Sequence, residues 1–135
     1  MKKLTQMNGK YLLDTNIVIR IFGRDKQVLK KVENSKKVFV PSIVVGELFY
    51  GAYNSAKINE NITQIEKLQD ETPILYDTYA LAKEYGKIKA ELKRAGTPIP
   101  ENDIWIAAFA RQHGLTLSSN DGHFDYVQNL KLARW

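Results

Sequence analysis

Short apolar segments alternate with longer helical patterns along this chain, and this alternation constrains the fold more than any other feature. Each apolar segment is brief enough for a strand, and the five of them cover residues 11–13, 38–40, 73–76, 115–118 and 130–134. Buried strands separated by helices form parallel sheets that are covered on both faces. The sequence therefore predicts an α/β fold, a three-layer α/β/α sandwich with a central parallel sheet of about five strands.

Capping residues and helical spacing place the helices between these strands. The Ser42 hydroxyl is expected to cap a helix that runs to about residue 56. Asp77-Thr78 precede a long helix that Gly96 ends, and further helices are expected over 17–22, 28–32, 58–69 and 101–112. No repeat or linker interrupts the 135 residues, so we expect a single α/β domain over 1–135.

Composition excludes several classes of protein. The chain has no cysteine, which excludes disulfide frameworks, thiol catalysis and zinc sites built on cysteine. No apolar run approaches the roughly 18 residues that a membrane span needs. The N-terminal segment 1–6 lacks the apolar core of a signal peptide, so we expect an unprocessed cytoplasmic protein with no membrane partner.

The net charge of +5 is concentrated in the first half of the chain. Residues 1–67 hold 12 Lys/Arg against 6 Asp/Glu, whereas residues 68–135 hold 8 against 9. A basic half favours a polyanionic partner, either nucleic acid or an acidic protein, through long-range attraction. A basic surface that only keeps the protein soluble explains the charge equally well. Charge therefore indicates a class of partner without deciding it.

Two acidic residues follow predicted strands, at the edge where parallel sheets bind ligands. Asp14 comes directly after the first strand, and Asp121 follows the fourth through a short polar segment. Each has a structural alternative: Asp14 is a good helix N-cap, and Asn120-Asp121-Gly122 is a strong turn sequence. These two positions predict a site only if other acids join them.

Two further acids lie in helical patterns that are otherwise almost wholly apolar. Glu47 is the only charged residue between positions 38 and 56, and Asp103 stands in the first turn of segment 101–110. Such helices are expected to be buried, where an unpaired carboxylate costs several kcal/mol. A salt bridge would satisfy Glu47, and the helix dipole would favour Asp103. A bound cation would satisfy both residues.

All four acids can meet if the first and fourth strands are neighbours in the sheet. Their carboxylates would then raise each other's pKa unless a cation compensated the charge. Mg²⁺ and Mn²⁺ suit clusters of oxygen ligands, and such ions activate water and stabilise the leaving oxygen in phosphodiester hydrolysis. Neither histidine occupies a convincing ligand position, because His113 ends a helix and His123 lies in a loop with at most a minor substrate contact.

Four sequence blocks carry a family resemblance. They are YLLDTN at 11–16, PSIVVGELFYG at 41–51, NDIWIAAFA at 102–110 and SNDGHF at 119–124. In this order and at this chain length they resemble PIN-domain ribonucleases, and more closely the VapC toxins of prokaryotic type II toxin–antitoxin systems. Each block is weak alone, and the combination is specific.

The resemblance implies a PIN fold and an endoribonuclease that hydrolyses RNA phosphodiester bonds with Mg²⁺ or Mn²⁺. It maps the catalytic, metal-binding acids to Asp14, Glu47, Asp103 and Asp121. It places a supporting set, which orients these acids or a water molecule, at Thr15, Asn16, Ser119 and Asn120. Asn120 and Asp121 leave the register of the fourth acid open; Asp121 is preferred because it stands three residues before Phe124.

The resemblance also implies partners. One is a cognate antitoxin, whose C-terminal segment would cover the acidic pocket and whose arginine would bind among the carboxylates. Another is a second copy of the chain in a homodimer. The RNA phosphates would be bound by basic residues, for which the candidates are Arg20, Arg24, Lys26, Lys83 and Lys87. A solvated helix face is the alternative for the last two residues.

Other functions stay open at this level. A PIN-domain nuclease could process RNA without an antitoxin. A non-catalytic phosphoacceptor or regulatory α/β module also places Asp after a strand, but it needs a lysine after a late strand, where this chain has Ser118-Ser119-Asn120. A haloacid-dehalogenase-type phosphatase needs a second Asp at the position of Asn16. The glycine motifs of dinucleotide and Walker A sites are absent from the sequence.

Overall fold

A parallel five-stranded sheet organises the chain in the computed structural model, which describes residues 9–135. The strands are Lys10–Leu13 (β1), Lys37–Pro41 (β2), Ile74–Leu75 (β3), Thr116–Ser118 (β4) and Leu132–Ala133 (β5). Their order is β3-β2-β1-β4-β5, and every neighbouring pair is parallel. The expected sheet is confirmed. The segment 1–6, considered above for a signal peptide, lies outside the described residues.

The described part of the chain contains six α-helices and one short 3₁₀ helix. The α-helices are Thr15–Phe22 (α1), Lys26–Glu33 (α2), Ser42–Tyr53 (α3), Ile58–Glu71 (α4), Tyr79–Ala95 (α5) and Glu101–His113 (α6). The 3₁₀ helix covers Gly122–Tyr126. Gly96 and Gly114 end α5 and α6 in the left-handed conformation that glycine adopts without steric cost. Within residues 9–135, no helix combines the length and the apolar character that a membrane crossing requires.

Both faces of the sheet are buried at its centre. Leu12 and Leu13 are consecutive in β1 and point to opposite faces, yet both are almost fully buried. Leu117 and Ser118 of β4 show the same pattern. Helices therefore cover both sides of the central strands, as the three-layer prediction requires.

The strand order places the acid-bearing ends side by side. β1 and β4 pair directly, with Leu13 opposite Ser118, and the backbone N–H of Asp14 donates to the Ser118 carbonyl at 3.1 Å. β2 pairs with the other side of β1 and leads directly into α3. The first and fourth strands are therefore neighbours, which is the condition for the acids to meet, and their carboxyl ends share one edge.

Helix α3 differs from the sequence prediction at both ends and in its burial. Ser42 is its first residue and Pro41 occupies the N-cap without a side-chain hydrogen bond, while the C-terminal end lies at Tyr53 rather than near residue 56. Tyr50 is 72% exposed and Tyr53 is 62% exposed. The expectation that an apolar helix is buried on nearly all sides is therefore wrong here, because α3 packs on the core along one face only.

Candidate active site

Asp14 is the most buried acid of the site, with only 5% of its surface exposed. It is the N-cap of α1, where its Oδ1 accepts from the Thr15 N–H at 2.8 Å. Its Oδ2 accepts from Ser119 Oγ at 2.6 Å and from Asn16 Nδ2 at 3.2 Å. Burial raises the pKa of Asp14, although the hydrogen bonds from Ser119 and Thr15 lower it. The charges of Glu47 and Asp121 raise the pKa further. Asp14 is therefore the helix N-cap that its structural alternative predicted, and its role as a site residue stays a prediction.

Glu47 reaches the same edge from α3 and is held by two polar side chains. Its Oε1 accepts from the Thr15 hydroxyl, and its Oε2 accepts from Asn102 Nδ2 at 2.9 Å. The side chain is half-buried rather than enclosed. The Thr15 contact ties Glu47 to the start of α1, next to Asp14, and the Asn102 contact ties it to the start of α6.

Asp121 follows β4 and begins the 3₁₀ helix. Its Oδ1 accepts from the backbone N–H of His123 at 2.9 Å, and its own N–H donates to Ser119 Oγ at 3.0 Å. Ser119 thereby links Asp121 to Asp14. Arg134 holds the same loop, since its guanidinium donates to the carbonyls of Ser119 at 3.2 Å and Asp121 at 3.0 Å.

Asp103 lies in the first turn of α6 and faces the Asp121 loop. Its Oδ2 is 2.9 Å from His123 Nδ1, and that nitrogen is also 3.0 Å from Asp121 Oδ1. Burial raises the pKa of Asp103 to about 6, and the charges of Asp121 and Asp14 act in the same direction while His123 opposes them. The hydrogen bond with Asp103 in turn raises the pKa of His123.

The four acids form one electrostatically coupled group that lacks strong cationic partners. Within residues 9–135, no lysine or arginine side chain makes an ion pair with any of them, and His123 is the one basic side chain in such contact. Asp103, Asp121 and His123 each offer one ligand atom, and these atoms lie within 4.8 Å of one another. Carboxylate oxygens with one imidazole fit Mg²⁺ or Mn²⁺ chemically.

Asn120, the alternative candidate for the fourth metal-binding position, contacts the site through its backbone. Its backbone N–H donates to Asn16 Oδ1 at 3.5 Å, whereas its side chain is exposed. Asp121 instead faces Asp103 and His123. The geometry favours Asp121 over Asn120, and the roles assigned to all of these residues stay predictions.

Among the basic residues expected to bind RNA, one makes contacts within the chain and four are exposed. Arg20 already donates to Asp25 Oδ2 at 3.0 Å and to the Trp135 carbonyl at 2.6 Å, so it ties α1 to the end of the chain. The other four are exposed: Arg24, Lys26, Lys83 and Lys87. RNA binding stays a prediction for all five, although Arg20 has fewer donors free for it.

Sequence reasoning missed three residues that shape the site. His123 was expected in a loop with a minor role, Asn102 was recognised only as part of a motif, and Arg134 was not considered. The spacing of Asp121 and His123 around one turn was the available signal for the first. Nothing local points to Asn102 or Arg134, because their partners lie 55 and 13–15 positions away.

Comparison with known families agrees with the fold. The sequence pattern of the PIN domain matches residues 11–130. Ribonuclease VapC2 of Haemophilus influenzae is 43% identical over 129 residues, which cover 93% of this chain and 98% of that protein. The tRNA(fMet)-specific endonuclease VapC of Shigella flexneri is 34% identical over 129 residues, with the same coverage of 93% and 98%.

Solved structures with the same architecture come from related complexes. VapBC-1 of nontypeable Haemophilus influenzae matches with a TM-score of 0.86 at 30% identity, covering 93% of this chain and 98% of that one. DNA-bound VapBC of Salmonella typhimurium matches with a TM-score of 0.86 at 28% identity, covering 92% and 96%. With the match to the PIN pattern and the coupled acids at the sheet edge, these similarities show that the chain belongs to the PIN-domain family and, within it, to the VapC proteins.

Proposed function

We propose that this chain is a divalent-metal-dependent endoribonuclease that hydrolyses RNA phosphodiester bonds as the toxin of a type II toxin–antitoxin pair. The observation that carries the proposal is a group of four electrostatically coupled carboxylates at one sheet edge, of which Asp103 and Asp121 offer ligand atoms within 4.8 Å of each other. Within residues 9–135, none of the four makes an ion pair with a lysine or arginine. A bound divalent cation would offset the repulsion that raises the pKa values of Asp14 and Asp103. The names of the relatives, which are ribonucleases and endonucleases, support the reaction class.

The residues that would hold the cation are Asp14, Glu47, Asp103 and Asp121. A bound Mg²⁺ or Mn²⁺ would supply Lewis acidity and an activated water for attack on the phosphorus. The ion's identity and number are left to experiment.

The surrounding residues act by positioning the acids. Ser119 and Asn16 donate to the same Asp14 oxygen, and the Thr15 N–H donates to the other, so the carboxylate cannot rotate freely. Thr15 and Asn102 hold Glu47 in the same manner. Fixed carboxylates preserve the geometry of reaction without reorganising when substrate arrives.

RNA is the substrate class that the chemistry and the relatives' names favour. Phosphate groups bring negative charge to an acidic site, so basic side chains must hold the strand on either side of it. The exposed residues Arg24, Lys26, Lys83 and Lys87 are proposed for this role. Each phosphate contact should make RNA binding weaker as salt concentration rises.

A cleavage assay tests the catalytic proposal. Purified protein with Mg²⁺ or Mn²⁺ should cut an RNA with single-stranded loops, and EDTA or Asp14→Asn should abolish cutting. Asp70→Asn is the matched control, because Asp70 is exposed near the end of α4 and outside the site. Cleavage by Asp14→Asn at the rate of the unchanged protein would contradict the proposal.

A cognate antitoxin is the proposed regulatory partner, and the cytoplasm the proposed compartment. VapBC complexes are among the solved relatives, one of them bound to promoter DNA from Rickettsia felis. An arginine from such a partner would form charge-assisted hydrogen bonds with the acids. Pull-down with the product of a neighbouring reading frame should succeed with the unchanged chain and weaken with Asp14→Asn plus Asp103→Asn. Unweakened capture would show that the acids do not recognise the partner.

Homodimerisation is proposed on the resemblance, with α3 and α4 as the candidate helices. Their exposed apolar side chains include Tyr50, Tyr53 and Ile58. Sedimentation of the purified chain would measure its oligomeric state, and a monomer at all concentrations would contradict this part of the proposal.

A further inference from the structure

The His123 imidazole occupies a position between two carboxylates of the proposed cation site. Its Nδ1 is 2.9 Å from Asp103 Oδ2 and 3.0 Å from Asp121 Oδ1. A single ring nitrogen carries at most one proton, so it can donate one well-directed hydrogen bond and not two. At most one of the two carboxylates can therefore accept a hydrogen bond from this nitrogen.

Three contacts hold the backbone that carries this ring. The His123 N–H donates to Asp121 Oδ1, which links the ring's backbone to one of the two carboxylates. Phe124, the next residue, is fully buried and anchors the 3₁₀ helix in the core. Arg134 donates to the Asp121 carbonyl and so holds the residue that begins the helix. Although 48% of its side chain is exposed, His123 is held in place by neighbouring groups.

The spacing of the three ligand atoms suits a shared cation. Neighbouring ligands of an octahedral ion with bonds of 2.0–2.1 Å lie about 3 Å apart, since they subtend a right angle at the metal. The two nitrogen–oxygen distances have this length, and all three atoms lie within 4.8 Å of one another. The neutral imidazole is also a common metal ligand in proteins.

We propose that His123 is a nitrogen ligand of the divalent cation, together with the carboxylates of Asp103 and Asp121. This inference rests on the proposed function, because it requires that the acids bind a divalent ion. An imidazole ligand favours first-row transition ions over Mg²⁺ when compared with a site of oxygen ligands alone. The site should therefore prefer Mn²⁺ to Mg²⁺ more strongly than its carboxylates alone would dictate.

Electron spin-echo spectroscopy of the full chain loaded with Mn²⁺ tests the proposal directly. Coordinated nitrogen should produce a ¹⁴N modulation that His123→Gln removes. The chain has only two histidines, so His113→Gln is a matched control; His113 is exposed at the end of α6, and its variant should retain the modulation. Labelling the unchanged chain with ¹⁵N-histidine should replace the ¹⁴N modulation by a ¹⁵N signal. This test needs no substitution.

Binding measurements separate a ligand from a residue that only positions the carboxylates. His123→Gln should lower Mn²⁺ affinity about tenfold and Mg²⁺ affinity by a smaller factor, so the preference for Mn²⁺ should fall. Equal losses for both ions, or Mn²⁺ bound without nitrogen modulation, would overturn the inference while leaving the proposed nuclease intact. If no Mn²⁺ bound at all, this inference and the metal-dependent function would both be wrong.

Discussion

Helix α6 carries two acid-rich clusters of opposite character, one near each end. Near its C-terminal end, Arg111 donates to Glu84 at 2.7 Å and to Glu91 at 2.9 Å, with only 9% of its side chain exposed. Near its N-terminal end, Asp103 faces Asp121 and His123, and within residues 9–135 it has no lysine or arginine in ion-pair contact. Eight residues, or about 12 Å of helix, separate the two clusters.

The difference between the two clusters indicates what each one is for. The Arg111 cluster joins α6 to two positions of α5, and its charges are compensated within the chain. The Asp103 cluster leaves negative charge for which the described residues 9–135 supply one imidazole as the ion-pair partner. A fold under selection for stability alone would favour the first arrangement at both ends, because uncompensated buried carboxylates are destabilising. The second arrangement therefore indicates function.

The largest expected effect is on catalysis. A substitution in the Asp103 cluster should lower the cleavage rate strongly, and one in the Arg111 cluster should barely change it. Asp103→Asn should lower RNA cleavage about a thousandfold, since loss of a metal ligand removes several kcal/mol of transition-state stabilisation. Glu84→Gln, in the Arg111 cluster, should change the rate less than about twofold. Single-turnover cleavage rates with saturating Mg²⁺ measure both. Similar rate losses in the two variants would remove the functional distinction.

The next effect is on stability. Substitutions in the two clusters should change the free energy of unfolding in opposite directions. Arg111→Met should lower the free energy of unfolding by about 2–3 kcal/mol, because it leaves Glu84 and Glu91 half-buried without their partner. Without metal, Asp103→Asn should raise the free energy of unfolding by about 1 kcal/mol, because it removes one of several repelling charges. Urea unfolding in EDTA measures both values. Destabilisation by both substitutions would argue against repulsion among the site acids.

The smallest effect is the pH dependence of stability in EDTA, which should arise mainly at the Asp103 end of the helix. The pKa of Asp103 is about 6 in the folded chain against an ordinary 3.8, so ionisation is harder when folded. The resulting penalty is absent below about pH 4 and complete above about pH 7, which costs about 1–2 kcal/mol after solvent screening.

The raised pKa of His123 acts in the same direction. Its charge stabilises the folded chain below the ordinary value of 6.5, and that stabilisation is lost as pH rises through the higher folded value. Stability should therefore decrease from about pH 4 to above pH 7. Urea unfolding across this range measures the decrease, and Asp103→Asn should flatten it. An equally steep decrease in the variant would show that other groups are responsible.

Two acids of the sheet edge could be predicted from the sequence because each lies close to the strand that it follows. Asp14 ends one apolar strand and Asp121 follows another, and parallel strands bring their carboxyl ends together. Glu47 and Asp103 stood out as single charges in apolar helices. Glu47 contacts Thr15 beside Asp14, and Asp103 is electrostatically coupled to Asp14. Their roles stay predictions, and the expected burial of α3 was wrong along the face that carries Tyr50 and Tyr53.

The contacts that complete the site could not be predicted in the same way. The direction of the His123 ring depends on the 3₁₀ helix, which has no hydrophobic period of its own to identify it. The bonds from Arg134 to the Ser119 and Asp121 carbonyls, and from Arg20 to the Trp135 carbonyl, form only after β5 joins the sheet. The Arg111 cluster likewise joins positions 20 and 27 residues apart, which no helical or strand period connects.

Anomalous diffraction from crystals of the chain grown with Mn²⁺ tests the shared cation site most directly. We expect an anomalous peak among the carboxylate oxygens of Asp14, Glu47, Asp103 and Asp121, and no such peak for Asp14→Asn under the same conditions. Mn²⁺ found only at other positions, or no bound ion at a concentration that supports cleavage, would contradict the assignment.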